Sequence, residues 1–510
     1  MAWKGYIFTS SVGIMAAKTV TLQGAEGRSI EIPTGLFINN EFVPSLTGTT
    51  LDTTNPANGD LLATIAAASE EDINAAVQSA KDAFYTTWKA TPPTTRQSLM
   101  LKLADLIERD VDEFANLEAL DGGILLSGSK GMHVPHSVET LRYFAGWADK
   151  IDGKSIAIPS GIAYTHREPL GVCAAIVPWN APLIVTMWKL APCIAAGNTL
   201  VLKTSELTPL YGIKLAALIK EAGFPAGVVN IVTGLGAVAG RALSEHMDVR
   251  KIAFTGSTLT GRAIMKAAAS SNLKKVTLEL GGKGPTIIFD DADLKNAVFW
   301  ATLGITANNG QICVAGSRIY VQEGIYEKFI AAFSAASTKA VAGDPLLSNT
   351  TKGPIVSADQ HSKIMGYIKK GQDEGARLLH GGGQPAPGYI ENTAFVDVNE
   401  DMTIMREEIF GPVAAISKFK TESEAIQKAN NTEYGLSSAI FTNNVSRADR
   451  VSRALESGQV TVNSWGMVHA NVPFGGIKMS GFGKDMGEES LDGWTGTKTI
   501  KYHTLPEVPN

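Results

Sequence analysis

Short, uninterrupted apolar segments alternate with helical segments from Gly171 onward, and this alternation restricts the fold more than any other feature of the sequence. The apolar segments are residues 172–177, 199–203, 228–232 and 251–254. Helical periodicity is found between and after them, near residues 183–196, 208–222, 237–246 and 260–269. Strands of a parallel sheet are covered on both faces and therefore appear as continuous Val, Ile and Leu runs. The alternation predicts βαβ units and an α/β fold.

A second alternating block occupies residues 285–464. It contains strand-like segments at 318–321 and 413–419, and it predicts a separate α/β domain. Two further segments, 153–167 and 502 onward, are extended and belong to neither block. We expect them to form an arm that pairs with another subunit.

The first part of the chain predicts a strand and turn at residues 36–48, followed by two helices. The first helix opens with the capping-box pattern Ser69-Glu70-Glu71-Asp72, and its apolar face continues to Trp88. The second is predicted as one helix from Thr95 to the pair Gly122-Gly123, because apolar residues keep a helical period throughout.

Length and composition exclude several classes of protein. A chain of 510 residues is too long for one hydrophobic core and predicts roughly two to four domains. The net charge of −5 gives no basic surface for nucleic acid. The longest apolar region, 171–202, is interrupted by three prolines and Lys189, so we expect no membrane span. Three cysteines are too few for a disulfide framework, and none stand at metal-ligand spacing, so we expect no metal.

The cysteine content favours a reducing compartment, and we expect a cytoplasmic protein. Residues 1–18 contain no acid, two lysines and the pair Ser10-Ser11, which leaves an organelle signal as an alternative.

Cys313 is the main candidate for chemistry. A free cysteine usually behaves as a small core hydrophobe, and the residue alone leaves that interpretation open. The preceding pair Asn309-Gly310 interrupts a helical pattern, which predicts the thiol on a turn, where nucleophiles are commonly displayed. A cysteine is a strong nucleophile even when only a few per cent of it is thiolate.

Glu279 and Asn180 are candidates for groups that assist such a nucleophile. Glu279 ends an apolar segment just before Gly281-Gly282, so burial would raise its pKa toward that of a general base. A glutamate on the wet face of a strand is the alternative. Asn180 follows a predicted buried strand, where its amide could donate to an oxyanion, although an Asn between prolines is also a common turn residue.

Three segments are candidates for a dinucleotide site. Residues 234–240, which include Gly236, follow a strand, but the third glycine is one residue late for the dinucleotide fingerprint. Ser257 joins a strand to a helix, where it either meets a pyrophosphate or only caps the helix. Lys203 and Glu206 suit a ribose diol, and the carboxylate would repel a 2′-phosphate, which favours NAD over NADP.

Seven motifs follow one another in a fixed order along the chain. They are Pro178-Trp179-Asn180, Lys203-Thr204-Ser205-Glu206, Phe254-Thr255-Gly256-Ser257-Thr258, Leu278-Glu279-Leu280-Gly281-Gly282-Lys283, Gly310-Gln311-Ile312-Cys313, Glu407-Glu408-Ile409-Phe410-Gly411-Pro412-Val413 and Pro473-Phe474-Gly475-Gly476. Together they resemble the aldehyde dehydrogenase superfamily. The resemblance extends from about Leu36 to Lys501, and the fourth and sixth motifs are its most specific parts.

The resemblance implies an α/β protein of three parts. These are a Rossmann-like NAD-binding domain at 20–148 and 171–281, an α/β catalytic domain at 282–488, and a small β oligomerisation element at 149–170 and 489–510. It also implies a homodimer or a homotetramer.

By motif match, Cys313 would be the nucleophile, Glu279 the general base, and Asn180 with the Cys313 backbone N–H the oxyanion hole. The implied cofactor-binding residues are Ile176, Trp179, Lys203, Glu206, Gly236, Gly256, Ser257, Gly261, Glu408 and Phe410. The implied reaction oxidises an aldehyde to a carboxylic acid through a thiohemiacetal and a thioester, with NAD as cofactor and NADP as the alternative. A retained Glu279 argues against the branch that transfers the acyl group to coenzyme A.

Small residues replace aromatic rings where the family has its substrate tunnel. Common relatives have Phe at the position of Ala181, and many have aromatic residues at Ala307 and Val468. We therefore expect a wide tunnel and a bulky aldehyde, aromatic or long-chain, unless other side chains refill the space. The remaining apolar walls would be Trp188, Trp465 and Met467.

Relatives pass the proton from the base through a lysine and a glutamate. The matching positions here are Lys189 and Asp485, and the shorter acid leaves the relay open. An inactive structural relative is a further alternative, against which the intact Cys313, Glu279 and Asn180 argue.

Overall fold

The structure is a computed structural model that describes residues 18–159 and 161–503. Its strands are β1 (Thr19–Gln23), β2 (Ser29–Pro33), β3 (Leu36–Ile38), β4 (Glu41–Val43), β5 (Thr50–Thr54), β6 (Leu61–Ala66), β7 (Ser155–Ile158), β8 (Gly161–Pro169), β9 (Val172–Ile176), β10 (Thr199–Lys203), β11 (Val229–Val232), β12 (Lys251–Thr255), β13 (Lys275–Glu279), β14 (Pro285–Ile288), β15 (Arg318–Gln322), β16 (Arg377–His380), β17 (Thr393–Val396), β18 (Val413–Phe419), β19 (Ser437–Phe441), β20 (Gln459–Val462), β21 (Gly481–Phe482) and β22 (Thr495–His503).

The α-helices pack on both faces of the two large sheets or connect their strands. They are α1 (Glu70–Thr86), α2 (Pro93–Arg109), α3 (Val111–Gly122), α4 (Leu126–Gly128), α5 (Val134–Ala145), α6 (Pro182–Ala195), α7 (Leu210–Ala222), α8 (Arg241–Glu245), α9 (Thr258–Ser270), α10 (Leu294–Thr306), α11 (Tyr326–Ser337), α12 (Ala358–Asp373), α13 (Thr403–Arg406), α14 (Glu422–Asn430) and α15 (Val445–Ala454).

The first sheet has eight strands in the order β21-β13-β12-β9-β10-β11-β3-β4. Its five central strands, β13 to β11 in that order, are parallel, and the four apolar segments of the sequence form β9 to β12, as predicted. All residues of β9 are buried because alternate side chains enter two cores. Cys173 packs in the core that contains α6, whereas Val172 and Ala174 pack in the core that contains α1.

The second sheet has seven strands in the order β16-β17-β18-β15-β14-β19-β20. All neighbouring pairs are parallel except β16 with β17. This sheet confirms the second α/β block of the sequence. The loop that carries Cys313 leads directly into its strand β15.

A third, antiparallel sheet is formed by β22, β8 and β7. The predicted segment 153–167 forms β7 and most of β8, whereas β22 begins at Thr495, before the predicted start at residue 502, and pairs with β8 along its whole length. Residues 504–510 lie outside the described residues. Its large apolar side chains Ile156, Ile162 and Tyr502 are exposed. The pairing of this sheet with another subunit stays a prediction.

The single helix predicted from Thr95 to Gly122 is wrong, because the chain forms two helices, α2 and α3, that meet at Asp110. The apolar period continues across the junction, but the Asp110 carboxylate pairs with Arg109 at 2.7 Å and with Lys214 of α7 at 2.7 Å. Trp88, predicted to belong to the first helix, instead lies in a short 3-10 turn after the end of α1, where its indole donates to the Asn198 carbonyl at 2.9 Å.

Two further features bear on the predictions from sequence. Strand β21 lies late in the chain, within residues 282–488, yet it pairs antiparallel with β13 at the edge of the first sheet.

Residues 1–17, which hold nearly all of the segment considered as an organelle signal, lie outside the described residues. In the part of the chain that is described, no helix combines the length and apolar character that crossing a bilayer requires.

Candidate active site

A cavity of about 710 Å³ lies where the carboxyl ends of β9, β12 and β13 face the loop before β15. Cys313, Glu279 and Asn180 all line it, although they are far apart in the sequence. Binding sites of α/β proteins commonly occupy this end of a parallel sheet. The three side chains selected from the sequence therefore share one cavity.

The loop that carries Cys313 is shaped by three consecutive residues in the left-handed region. After α10 ends at Thr306, Asn308, Asn309 and Gly310 have φ of 45°, 56° and 66°. A side chain at Gly310 would overlap the carbonyl oxygen of Gly411, so glycine is required there for space as well as for conformation. The predicted turn is confirmed, and it displays the thiol.

The surroundings of Cys313 hold the thiol in its protonated form. Burial, followed by the charges of Glu408 and Glu279, raises the pKa of Cys313 to about 12. The backbone N–H groups of Cys313 and Val314 act in the opposite direction, because they donate toward the sulfur. Ionisation near neutral pH therefore requires a base that removes the proton or a positive charge brought into the cavity.

Asn180 is bound to the Cys313 loop. Its Nδ2 donates to the Gln311 carbonyl at 2.8 Å, and Asn308 Nδ2 donates in return to the Asn180 carbonyl at 3.0 Å. The alternative that Asn180 only bonds its own turn is thus wrong. An amide nitrogen has two hydrogens, and among the described residues only the Gln311 carbonyl accepts one of them. The other is available to a ligand in the cavity.

Glu279 is a buried carboxylate at the end of β13, with 3% of its surface exposed. Within the described residues its Oε2 has no hydrogen-bond partner, and a Cβ at Gly475 would lie 2.6 Å from its Oε1. Burial first, and then the charge of Asp485, raises the pKa of Glu279 well above its usual value, while Lys189 opposes this change. The wet-face alternative is wrong, and the group has the environment of a general base.

Lys189 and Asp485 form a buried ion pair beside Glu279. Asp485 is fixed by two backbone hydrogen bonds with Phe474, of 2.7 and 2.8 Å. Burial raises the pKa of Asp485, and the ammonium of Lys189 acts against this rise. Asp485, although shorter than a glutamate, therefore still reaches Lys189, and the charges of both residues act on Glu279.

One end of the cavity is formed by Glu408, Phe410 and Trp179. Glu408 Oε1 accepts from the Gly282 N–H at 3.0 Å, and the rings of Phe410 and Trp179 meet edge to face at 5.3 Å. Phe410 has φ of 56°, and Gln360 Nε2 donates to its carbonyl at 2.8 Å. The backbone of Phe410 is thus held in a conformation that non-glycine residues rarely adopt, as is frequent in ligand sites.

Two more of the predicted cofactor residues lie at the end of β12, and Gly256 and Ser257 both line the cavity. Ser257 is also the N-cap of α9, where its Oγ accepts from the Thr260 N–H at 3.2 Å. Ser257 therefore caps α9, which leaves the other free N–H groups of the helix start available, and its contact with a pyrophosphate stays a prediction.

The remaining predicted cofactor residues lie outside the wall of this cavity. Ile176 and Lys203 are paired at the ends of neighbouring strands β9 and β10, and Lys203 Nζ donates to Glu206 at 3.2 Å. Gly236 begins a π-helical turn and leaves open space beside it. Gly261, in α9, lies close against Leu280, so packing explains why this position has no side chain.

The six residues predicted to line a substrate tunnel all border the cavity. They are Ala181, Ala307 and Val468, where relatives have rings, and Trp188, Trp465 and Met467. The indole N–H of Trp465 donates to the Val314 carbonyl at 2.9 Å, and the rings of Trp188 and Phe474 pack with their centroids 4.8 Å apart. We call this half of the cavity, with these six residues in its wall, the substrate tunnel.

Several other residues of the wall were not identified from the sequence. They are Met132, His133, Trp300, Leu303, Gln360 and Lys363. Each resembles an ordinary helix or loop residue in its local context, so only the tertiary arrangement identifies it. The helical spacing of Trp300 and Leu303 in α10 was the one available hint, because it places both on the face that precedes the Cys313 loop.

The sequence model of the Aldehyde dehydrogenase family matches residues 42–500. The chain belongs to this family. An aldehyde dehydrogenase from Emericella nidulans is 51% identical over 475 residues, which cover 92% of this chain and 95% of that protein. The solved NAD+ complex of an aldehyde dehydrogenase from Bacillus cereus is 43% identical with a TM-score of 0.91, and the match covers 92% of this chain and 97% of the other.

A solved complex of an indole-3-acetaldehyde dehydrogenase with NAD+ is also similar. It is 40% identical with a TM-score of 0.92 and covers 93% of this chain and 97% of that chain. The aldehyde dehydrogenase superfamily predicted from the motifs is thereby confirmed, as is the α/β fold. The protein is an oxidoreductase of a family that uses NAD or NADP.

Proposed function

We propose that this aldehyde dehydrogenase oxidises a bulky aldehyde, aromatic or long-chain, to the carboxylic acid with NAD as cofactor. The observation that supports this most strongly is the convergence of a thiol, a carboxyl group and a carboxamide on one cavity. Cys313 would be the nucleophile, Glu279 the general base, and Asn180 a donor of the oxyanion hole.

The residues present fit NAD. Gly256 and Ser257 at the start of α9 would hold the pyrophosphate, and Lys203 with Glu206 would hold the adenosine ribose. A side chain at Gly281 would overlap the Glu408 carboxylate, so Glu408 keeps its position against the Gly282 N–H only because residue 281 lacks a Cβ. NAD+, when bound, supplies the hydride acceptor.

The first step is the addition of Cys313 to the aldehyde carbon. The thiol gives up its proton as the C–S bond forms, and the electron pair of the carbonyl π bond moves to its oxygen. Glu279 is the acceptor for that proton, because it acts electrostatically on the sulfur and lacks a hydrogen-bond partner at Oε2. Since burial disfavours two neighbouring anions, the thiol and the carboxyl group are not both ionised at the same time.

The negative oxygen of the resulting thiohemiacetal is stabilised by hydrogen-bond donors that are already in place. The free N–H of Asn180 and the backbone N–H of Cys313 are those donors. Removal of one such donor costs about 3 kcal/mol of transition-state stabilisation in comparable sites. When the C–O double bond re-forms, the hydride leaves the carbon and a thioester remains on Cys313.

Hydrolysis of the thioester completes the reaction. Glu279 first releases to solvent the proton that it took from Cys313, and it then takes a proton from a water molecule, whose oxygen attacks the thioester carbon. The C–S bond breaks, the carboxylic acid leaves, and the sulfur regains a proton. Lys189 and Asp485 act on the proton affinity of Glu279 rather than on the substrate, so they are positioning residues.

The substrate tunnel supports a bulky aldehyde, because the small side chains of Ala181, Ala307 and Val468 leave space in its apolar wall.

We also propose a homodimer or homotetramer, supported by the exposed apolar side chains of the β22-β8-β7 sheet. Sedimentation at a mass of one chain would contradict this. We further propose a cytoplasmic location, because the three cysteines are free and a reducing compartment keeps thiols in that state.

The experiment that tests the function is an assay of NADH formation over a panel of aldehydes from acetaldehyde to cinnamaldehyde, with NAD and NADP compared at limiting concentration. We expect activity with NAD, a higher kcat/KM for the larger aldehydes, and no activity in Cys313→Ala. Preference for acetaldehyde would contradict the proposed substrate. Absence of activity with intact folding and NAD binding would favour a structural role.

A further inference from the structure

His133 lies in the wall of the cavity, and the reaction described above does not use it. It is the last residue of a π-helical turn, Ser129–His133, between α4 and α5. Such turns within helices are frequent at functional sites. The turn directs Ser129 and His133 to one common partner, the carboxylate of Glu118 in α3.

Glu118 is completely buried and fixes the orientation of the imidazole. Its Oε2 accepts from Ser129 Oγ at 2.6 Å and lies 2.9 Å from His133 Nδ1, and its Oε1 accepts from the Leu183 N–H at 3.1 Å. Burial favours the neutral acid, but the charge and hydrogen bond of His133 outweigh it and lower the pKa of Glu118. An ionised carboxylate only accepts, so Nδ1 carries the hydrogen of this bond.

The other nitrogen of His133 is available to a ligand. The His133 side chain is 13% exposed whereas Glu118 is 0% exposed, so the ring edge that is open to the cavity is the one turned away from the carboxylate. That edge carries Nε2, and no described residue forms a hydrogen bond with it. Nε2 donates when the ring is protonated and accepts when the ring is neutral.

The neighbouring His136 differs in this respect. Its Nε2 accepts from the Trp188 indole at 3.1 Å, and its Nδ1 lies 3.6 Å from Glu139. Both of its nitrogens therefore have partners within the protein. His133 is the histidine of this segment that has a nitrogen free for substrate.

We propose that the bulky aldehyde carries a hydroxyl group remote from its carbonyl, and that His133 Nε2 binds this hydroxyl while Glu118 positions the ring. A hydroxyl donates and accepts, so it pairs with Nε2 in either protonation state, which an ether or an ammonium group does not. Met132, Trp300 and Leu303 form apolar wall around the body of the substrate. This inference rests on the proposed oxidation of bulky aldehydes.

The test compares aldehydes that differ only by a hydroxyl in place of a methyl group of similar size. Two pairs sample two distances from the carbonyl: para-hydroxybenzaldehyde with para-methylbenzaldehyde, and para-hydroxycinnamaldehyde with para-methylcinnamaldehyde. One additional hydrogen bond corresponds to about a tenfold change in kcat/KM. We expect the hydroxy compound to be preferred by about that factor in at least one pair, mainly through a lower KM.

His133→Asn separates the two nitrogens of the imidazole. The asparagine amide keeps a donor near the position of Nδ1, so Glu118 retains a partner, but nothing remains at the position of Nε2. We expect the ratio of kcat/KM for the hydroxy and methyl compounds to fall to about one. The matched control is Lys130→Gln in the same turn, because Lys130 pairs with Asp112 at the surface and should not affect the ratio.

Two results would overturn the hydroxyl site: a wild-type ratio near one in both pairs, or an unchanged preference in a folded His133→Asn. In either case the methyl aldehydes would still be oxidised, which distinguishes this failure from that of the proposed function. If the wild type oxidised none of the four aldehydes, the proposed substrate class would fail, and the hydroxyl site with it.

Discussion

Asn180 connects the carboxyl end of β9, in the first sheet, to the loop that carries Cys313. One of its N–H groups is bonded to the Gln311 carbonyl, and the other would meet the oxyanion. We expect Asn180→Ala to lower kcat about 100- to 1,000-fold, the loss found when one oxyanion donor is removed. The lost hydrogen bond should cost only about 1 kcal/mol of stability.

Steady-state kinetics and thermal denaturation would measure the two effects of Asn180→Ala separately. A suitable control is Asn296→Ala, which removes a partly buried side chain that is not part of the cavity wall and whose amide donates to the Asn463 carbonyl at 2.9 Å. An Asn180→Ala enzyme with the kcat of the control would exclude Asn180 from the oxyanion hole.

The acid limb of the pH profile depends on Glu279, because a general base works only when it is deprotonated. Burial and the charge of Asp485 raise the pKa of Glu279, so kcat should decrease as the pH falls through this raised value. In Asp485→Asn the raising charge is gone and Lys189 still lowers the pKa. We therefore expect the acid limb to move to lower pH.

The pH dependence of kcat in both enzymes is the measurement. Asp492→Asn is the control, because Asp492 is an exposed acid that pairs with Arg167 at the surface. An acid limb of Asp485→Asn that coincides with that of the wild type would show that Asp485 does not act on Glu279.

At the scale of single elements, the loop between α10 and β15 is the part least tolerant of change. Gly310 combines a φ of 66° with a close approach to the Gly411 carbonyl, so Gly310→Ala introduces both strain and overlap. We expect it to destabilise the fold by about 1 to 3 kcal/mol and to displace Cys313, with loss of most activity.

Gly366→Ala is the matched control for that change. Gly366 is exposed in α12, and a Cβ there would contact nothing within 4 Å. The same substitution should stabilise α12 by up to about 1 kcal/mol, because alanine is the better helix former. Denaturant unfolding of both variants decides the point, and a Gly310→Ala protein as stable and active as Gly366→Ala would contradict this account of the loop.

The elements also show which features are predictable from sequence. Strands β9 to β12 were predictable because burial on both faces leaves an unbroken apolar run. The break at Asp110 was not, since it depends on a contact with Lys214 more than 100 residues away, and the apolar period hides it.

The candidate site was likewise predictable from the sequence only in part. The motifs indicated Cys313, Glu279 and Asn180, and burial of Glu279 followed from its position in an apolar strand. The hydrogen bond of Asn180 to Gln311 and the contact of Gly475 with Glu279 are tertiary, so local pattern carried no sign of them. The ion pair of His133 with Glu118 was not indicated for the same reason.

For the whole molecule, the proposed reaction depends on the meeting of the two α/β blocks. Glu279 ends β13 of the first sheet and Asn180 follows β9 of the same sheet, whereas Cys313 precedes β15 of the second sheet. The substrate tunnel lies between them. Its width should set the substrate range. We expect Ala307→Phe to lower kcat/KM for cinnamaldehyde at least tenfold relative to acetaldehyde, because the ring fills space that the larger substrate needs.

Assays of both aldehydes with purified variants would measure this ratio. Val445→Phe serves as the control, because it adds a ring at a surface position that is 83% exposed and is not part of the cavity wall. A ratio that is equal in the two variants would mean that Ala307 does not limit the size of the substrate.

The most direct test of the central claim is mass spectrometry of Glu279→Gln after mixing with NAD+ and a bulky aldehyde. This variant retains Cys313 but lacks the base for both steps, so the mixing is done at alkaline pH, where part of the thiol ionises without help from Glu279. We predict a single burst of NADH, stoichiometric with enzyme, and a mass increase equal to the acyl group on the peptide that contains Cys313. Steady turnover by Glu279→Gln, or an acyl group on any other residue, would contradict the account.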